Sequence, residues 1–315
     1  MEAYFDNAAT TKVFPEVKDL VVKLMEEDYG NPSSLHQKGL DAGHYIKETK
    51  EILAKEWKVD SKEIVLTSGG TESNNLALIG AALANKRSGN RIITSKVEHA
   101  SVSSTMAFLE SLGFEVVYLN VDHQGIVDLE QLEQEVNEDT ILVSVMYVNN
   151  EIGAVEPIQE IAEIIKEKNP KTLFHVDAIQ AFGKYHIYPK RMGIDLMSVS
   201  GHKIHGPKGT GALFIKNRTK VKPIIYGGGQ QDGMRSGTEN VPGFAGFGLA
   251  TKIVYEDLEA RIVRMRAVKD RLTERLKALP DVYINEGEAP HILSVSFVGV
   301  RSEVMLHALE EREIY

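Results

Sequence analysis

The chain has 315 residues, 43% of them hydrophobic and 26% charged, enough to bury one large or two medium domains. Its formal net charge of −9 argues against a general binder of nucleic acid or anionic membranes, and no apolar run approaches the roughly 20 residues that span a bilayer. It contains no cysteine, so these residues hold no disulfide, thiolate metal site or thiol nucleophile.

The amino-terminal residues, Met1-Glu-Ala-Tyr-Phe-Asp-Asn7, have neither the basic end nor the apolar core of a signal peptide, and a cytoplasmic location is expected. From residue 63 onward strand and helix signals alternate, which predicts a mostly parallel sheet with helices on both faces. Strands are read at 63–67, 91–94 and 115–119, with helices at 73–85 and 101–112 between them. A helix at 129–136 leads to an apolar strand at 141–147. Pro157 then opens a helix in which Ile158, Ile161, Ile164 and Ile165 recur at helical spacing. Short buried strands follow at 173–176, 196–199 and 212–215. Residues 227–233 are too glycine-rich for regular structure. Beyond Pro242 one long helical segment runs to about residue 279, where Pro280 ends it. Residues 291–297 alternate like a half-exposed strand, and 302–311 read as a helix with Ser302 as its cap. Ile314 and Tyr315 look like the start of another strand.

The chemistry is concentrated where strands end. Lys203 sits in Ser200-Gly-His-Lys203, directly after a buried strand and among glycines, with His202 and His205 beside it. A lysine there is desolvated toward a nucleophilic amine. Asp177 stands in an apolar neighbourhood, and a buried carboxylate needs a cationic partner. A protonated pyridine nitrogen is one such partner, and a lysine or arginine is another. Gln180, three residues on, would reach a ring oxygen. Ser68-Gly-Gly-Thr-Glu72 joins a strand to a helix, where Gly70 and Thr71 can approach a phosphate. His99 could lie over an aromatic ring and move protons, and Asn150 could donate to a ring substituent. Together these residues fit pyridoxal phosphate. A zinc site built on His202 and His205 with Asp177 or His99 is the competing reading, and it leaves Lys203, Gln180 and the Gly-Gly-Thr turn unexplained.

Taken in order, Asp6-Asn-Ala-Ala-Thr-Thr11, Gly30-Asn-Pro-Ser-Ser34, Thr67-Ser-Gly-Gly-Thr-Glu-Ser-Asn74, Glu98-His99, Val148-Asn-Asn-Glu-Ile-Gly153, His175-Val-Asp-Ala-Ile-Gln180, Ser200-Gly-His-Lys203 and Arg235-Ser-Gly-Thr-Glu-Asn240 closely resemble the cysteine desulfurases. The resemblance runs from residue 6 to about 240 and is weaker beyond. It implies the α/β aminotransferase-like fold (fold type I), with a large cofactor-binding domain over 13–250. A smaller α+β domain, incomplete here, would combine 1–12 with 251–315.

The resemblance also implies roles. Lys203 would hold the cofactor as a Schiff base, His99 would stack on the ring and shuttle protons, and Asp177 would hold the pyridinium nitrogen. Gln180 and Asn150 would bind the ring oxygen and the substrate side. Gly70, Thr71, Ser200 and His202 would hold the phosphate, with Thr238 supplied by the other subunit of a homodimer. Asn7 would approach the substrate carboxylate. The implied reaction takes L-cysteine to L-alanine and passes sulfur, as a persulfide, to an iron–sulfur scaffold or another acceptor such as the tRNA-thiolation machinery. In that family the persulfide cysteine and the arginine that grips the substrate lie after the helix matching 302–311. The 315 residues are therefore expected to stop short of both, and to bind cofactor without desulfurating cysteine by the usual route. Selenocysteine lyase, cysteine sulfinate desulfinase and a non-catalytic dimeric scaffold of the same fold are the alternatives.

Overall fold

A computed structural model describes residues 2–285 and 287–315. Two helices open the chain, α1 (Pro15–Glu26) and α2 (Gln37–Trp57). The alternating part follows as β1 (Ile64–Thr67), α3 (Gly70–Asn85), β2 (Arg91–Ser95), α4 (Ala100–Ser111), β3 (Glu115–Leu119), α5 (Leu129–Glu135), β4 (Thr140–Met146), α6 (Ile158–Lys168), β5 (Leu173–Asp177), β6 (Leu196–Ser200) and β7 (Gly211–Ile215). Then come α7 (Val241–Glu256), α8 (Leu258–Lys277), β8 (Val282–Asn285), β9 (Ser294–Phe297) and α9 (Ser302–Glu310).

β1 to β7 form one seven-stranded sheet in the order β1-β7-β6-β5-β4-β2-β3. Only β7 runs against its neighbours; the other pairings are parallel. The apolar content explains the burial on both faces. Every residue of β4 is buried, as expected of a strand with helices above and below. Alternate residues feed two apolar clusters: Ile92 and Leu142 belong to one, Ile93 and Val143 to the other. α3 and α4 cover the first face, and α6 presents Ile158, Ile161, Ala162 and Ile165 to the second. α7 packs against α1 and α2 with Phe244 and Phe247 buried.

Several expectations need correction. The long segment after Pro242 is two helices, because Asp257 (φ −128°, ψ 26°) leaves the helical region between Glu256 and Leu258. α7 also continues past residue 250, with Val254 and Tyr255 on its buried face. Ser302 is the first residue of α9 and not its cap; Arg301, in extended conformation, takes that place and makes no side-chain capping bond. The strand expected over 291–297 is limited to β9, which pairs with β8, a strand the sequence reading did not identify. The glycine-rich stretch 227–233 includes a short 3-10 turn at Gln231–Gly233, anchored because buried Gln231 Oε1 accepts from Leu66 N at 2.9 Å. Ile314 does pair with Ala3, and Tyr315 N donates to Ala3 O at 2.9 Å.

Candidate active site

β1, β2, β4, β5 and β6 direct their carboxyl ends to one side of the sheet. The loops that follow them line a cavity of about 480 Å³. Ligands collect at this edge in open α/β sheets because strand ends and helix starts expose backbone donors and side chains there. Gly70, Thr71, His99, Asn150, Asp177, Gln180, Ser200, His202 and Lys203 all line the cavity, as does Asp6.

Lys203 is half-buried, and burial lowers its pKa, an effect partly offset by the carboxylates of Asp6 and Asp177. Its Nζ donates to Ala8 O at 2.5 Å and to Ala9 O at 2.8 Å, so the amino-terminal segment lies directly on the amine. Asp177 ends β5 and is 4% exposed. Its Oδ1 accepts from Ile179 N at 3.0 Å and its Oδ2 from Asn74 Nδ2 at 2.7 Å. Burial raises its pKa, against those two bonds and the more distant His99 and Lys203.

His99 caps α4. Its Nδ1 accepts from Ser101 N at 3.1 Å and lies 2.8 Å from Ser101 Oγ. A nitrogen that accepts from a backbone N–H is bare, so the neutral ring carries its proton on Nε2. Ser101 Oγ itself accepts from Asn74 Nδ2 at 2.9 Å. One amide thus links the carboxylate of Asp177 to the ring of His99. Asn74 and Ser101 were not singled out from the sequence, although both lie in or beside stretches that were. Glu98 was also missed as an independent group: its Oε1 accepts from Ser95 Oγ at 2.6 Å and from Met146 N at 3.0 Å. Its Oε2 is sealed from solvent with no partner among the described residues, and burial pushes its pKa up to about 8.

A second hollow of about 370 Å³ adjoins the cavity through Gly70, Thr71, Ser200 and His202, with Lys208 at its rim. Gly69 (φ +149°) turns the chain into the first turn of α3. A Cβ at Gly70 would meet Ile179 Cδ1 at 2.1 Å, so any larger residue must push the Ile179 side chain aside. His202 bonds Thr10 Oγ1 through Nδ1 at 3.1 Å, and burial, then the nearby lysines, lower its pKa to about 4.

One expected residue, Asn7, is elsewhere, and Thr238 was expected at the cavity of a second copy. Asn7 is exposed and donates to Tyr4 O at 3.1 Å, and Thr238 is exposed in the loop before α7; neither lines this cavity. That loop is tied down by Arg235, whose Nε donates to Glu72 Oε1 at 2.8 Å at the start of α3. Asn150 turns its amide to Glu151 Oε1 at 2.7 Å. The histidines of the competing zinc reading diverge, since His205 stacks on Phe14 and its Nδ1 faces Lys12 O. Among the described residues no group of three or more His, Cys, Asp or Glu is placed to hold a metal ion.

These residues suit pyridoxal phosphate on their own chemistry. Asp177 is a buried carboxylate with no ion pair among the described residues, and a ring N–H⁺ would supply the missing cation. The glycine turn at the amino end of α3 leaves backbone donors for a phosphate, and Lys203 offers a partly desolvated amine between the two.

A lysine at the carboxyl edge of a mostly parallel sheet, opposite a buried aspartate, is the arrangement of a fold type I pyridoxal-phosphate protein. The family model for aminotransferase class-V matches residues 3–315, and the chain belongs to that family. Within it the similarity lies with the cysteine desulfurases. Cysteine desulfurase IscS of Dictyoglomus turgidum is 43% identical over 97% of this chain and 78% of that protein. IscS of Methanosarcina thermophila is 42% identical over 99% of this chain and 78% of its own length. A solved NifS-like protein superposes with a TM-score of 0.98 at 40% identity, covering all of this chain and 87% of that one.

Proposed function

We propose that the chain is the cofactor-binding part of a cysteine desulfurase, converting L-cysteine to L-alanine and giving the sulfur to an acceptor. The observation that carries the reading is the buried Asp177, without an ion pair among the described residues, lining the same cavity as Lys203. Pyridoxal phosphate, when bound, supplies an electron sink for charge developing at the substrate α-carbon. Asp177 would hold the ring nitrogen; Gly70, Thr71, Ser200 and His202 would hold the phosphate; Gln180 and Asn150 would meet the ring oxygen and the substrate side. Lys203 would hold the aldehyde carbon, and its lowered pKa favours the free amine that can take and return a proton. His99 offers Nε2 to the cavity as a second proton carrier. Asn7 reaches a substrate carboxylate only after its amide leaves Tyr4 O, and Thr238 is assigned to the cavity of a second copy in a homodimer.

The sulfur balance requires a thiol: cysteine loses its sulfur, a thiol RSH gains it as RSSH, and alanine remains. No cysteine occurs among the 315 residues, so that thiol lies outside them. An iron–sulfur scaffold or another sulfur-acceptor protein is the acceptor class, and a reducing, cytoplasmic setting goes with that thiol chemistry. Residues up to Glu256 are assigned to the cofactor-binding body, and those from Leu258, with the first few residues, to a smaller unit.

Reconstituted protein should be yellow, bleach on borohydride treatment, and stay colourless as Lys203→Ala. A wild type that stays colourless after reconstitution sinks the reading. Alanine release from cysteine, selenocysteine and cysteine sulfinate, each with added thiol, separates the desulfurase from its relatives in chemistry.

A further inference from the structure

Gln180 has both ends of its side-chain amide engaged, and one partner comes from a part of the chain remote from the sheet. Its Nε2 donates to Ala8 O at 2.9 Å. Its Oε1 lies 3.3 Å from Nε2 of His291. His291 belongs to the segment between β8 and β9, which is fixed to the body where Ala289 N donates to Gly153 O at 2.9 Å. Lys269 from α8 holds the same segment by donating to Ala289 O at 2.8 Å.

The donors and acceptors allow one arrangement. A carbonyl accepts only, so Gln180 must turn its nitrogen to Ala8 O and its oxygen to His291. An amide oxygen also accepts only, so His291 must carry a proton on Nε2. The ring is neutral: burial, then the cations Lys184, Lys269 and Lys203, push its pKa down to about 2. Nδ1 is then bare, and it is buried with no partner among the described residues. The amide nitrogen of Gln180 keeps one further N–H, and Gln180 lines the cavity.

We infer that His291 is a positioning residue that locks the amide of Gln180 with its nitrogen toward the cofactor cavity, so that the ring oxygen of pyridoxal phosphate meets a donor and not a carbonyl. The inference rests on the cofactor assignment above. Without the histidine N–H only Ala8 O still sets the sense of the amide, so the flipped form, which presents oxygen to the ring oxygen, is populated more and binding of the ring weakens. The segment 287–292 thereby becomes part of the site although none of its residues lines the cavity.

The test reads the holoprotein by its visible band and the apoprotein by nitrogen-15 NMR of the His291 ring. In apoprotein the ring should keep the Nε2–H tautomer throughout the range from about pH 5 to about pH 8. A ring that carries its proton on Nδ1 and leaves Nε2 bare overturns the inference. In holoprotein, loss of a donor makes the ring oxygen more basic. His291→Ala should therefore raise the pH midpoint of the visible band by about half to one unit and weaken cofactor binding about three- to tenfold. His291→Gln, which keeps an amide donor, should recover most of both. Ile292→Ala, a neighbouring core change, should lower Tm and leave the midpoint in place. A midpoint unmoved in His291→Ala, or moved equally by Ile292→Ala, overturns the inference alone. Wild-type protein that takes up no cofactor sinks the functional reading and this inference together.

Discussion

Asn74 decides how Asp177 and His99 are held relative to each other. Its amide nitrogen serves both Asp177 Oδ2 and Ser101 Oγ, while its own Oδ1 is buried without a partner. An amide turned the other way would set oxygen against a carboxylate, so the unsatisfied carbonyl is the smaller cost. Asn74→Leu should weaken cofactor binding by about tenfold, read by equilibrium dialysis, since Asp177 loses one of its two donors. Glu98 gives a second prediction. With a folded pKa of about 8 against an ordinary 4.5, the folded protein keeps a proton that the unfolded chain releases as pH rises through that window. Stability contributed there is full below the lower value and is lost toward the upper one. Glu98→Gln does not titrate, so its Tm should rise relative to wild type between about pH 5 and about pH 8.5. A constant difference in Tm would show that Glu98 ionises normally in the fold. As cavity-lining residues, Lys203, Asp177 and Gln180 were legible in the sequence because each breaks an apolar or glycine-rich context at a strand end, and His99 because it follows a strand and a polar link. Asn74, Ser101 and His291 were not. Their roles depend on how α3 meets α4 and how the segment after β8 folds back, and no local pattern carries that information.

The elements explain why the site is rigid where it must be. α3 begins at Gly70, wedged against Ile179 from the loop after β5. Gly70→Ala should cost about 1–3 kcal/mol in chemical denaturation, because its Cβ would overlap Ile179 Cδ1. Adding Ile179→Ala should return a large part of that loss, a coupling that a merely helix-propensity effect would lack. The strands and helices of the alternating region were readable from their periods to within a few residues. The break at Asp257 was not, since α7 and α8 continue one run of helix-forming residues and the turn between them is set by packing. Bidentate pairing of Arg235 with Glu72 likewise joins two motifs that are far apart in sequence. Arg235→Met should release the loop that bears Thr238, seen as faster amide exchange across residues 234–240 with α3 unchanged.

At the scale of the whole molecule, the absence of cysteine makes one expectation firm. Incubation of these 315 residues with cofactor and sulfur-35 cysteine should leave no protein-bound label, and a labelled band would refute the requirement for an outside thiol. The first residues of the chain tie distant parts together: Ala3 pairs beside Ile314, Ala8 and Ala9 sit on Lys203, and Thr11 bonds His202 O. Those carbonyls occupy the very amine that a cofactor would need. Uptake is therefore expected to take two steps, the segment lifting off the amine before the aldehyde is captured. Its observed rate should level off as pyridoxal phosphate concentration rises, with the plateau equal to the lifting rate. Replacing Ala8 by proline or glycine, which alters how that segment is held, should move the plateau and the initial slope in the same direction, because the slope carries the opening equilibrium.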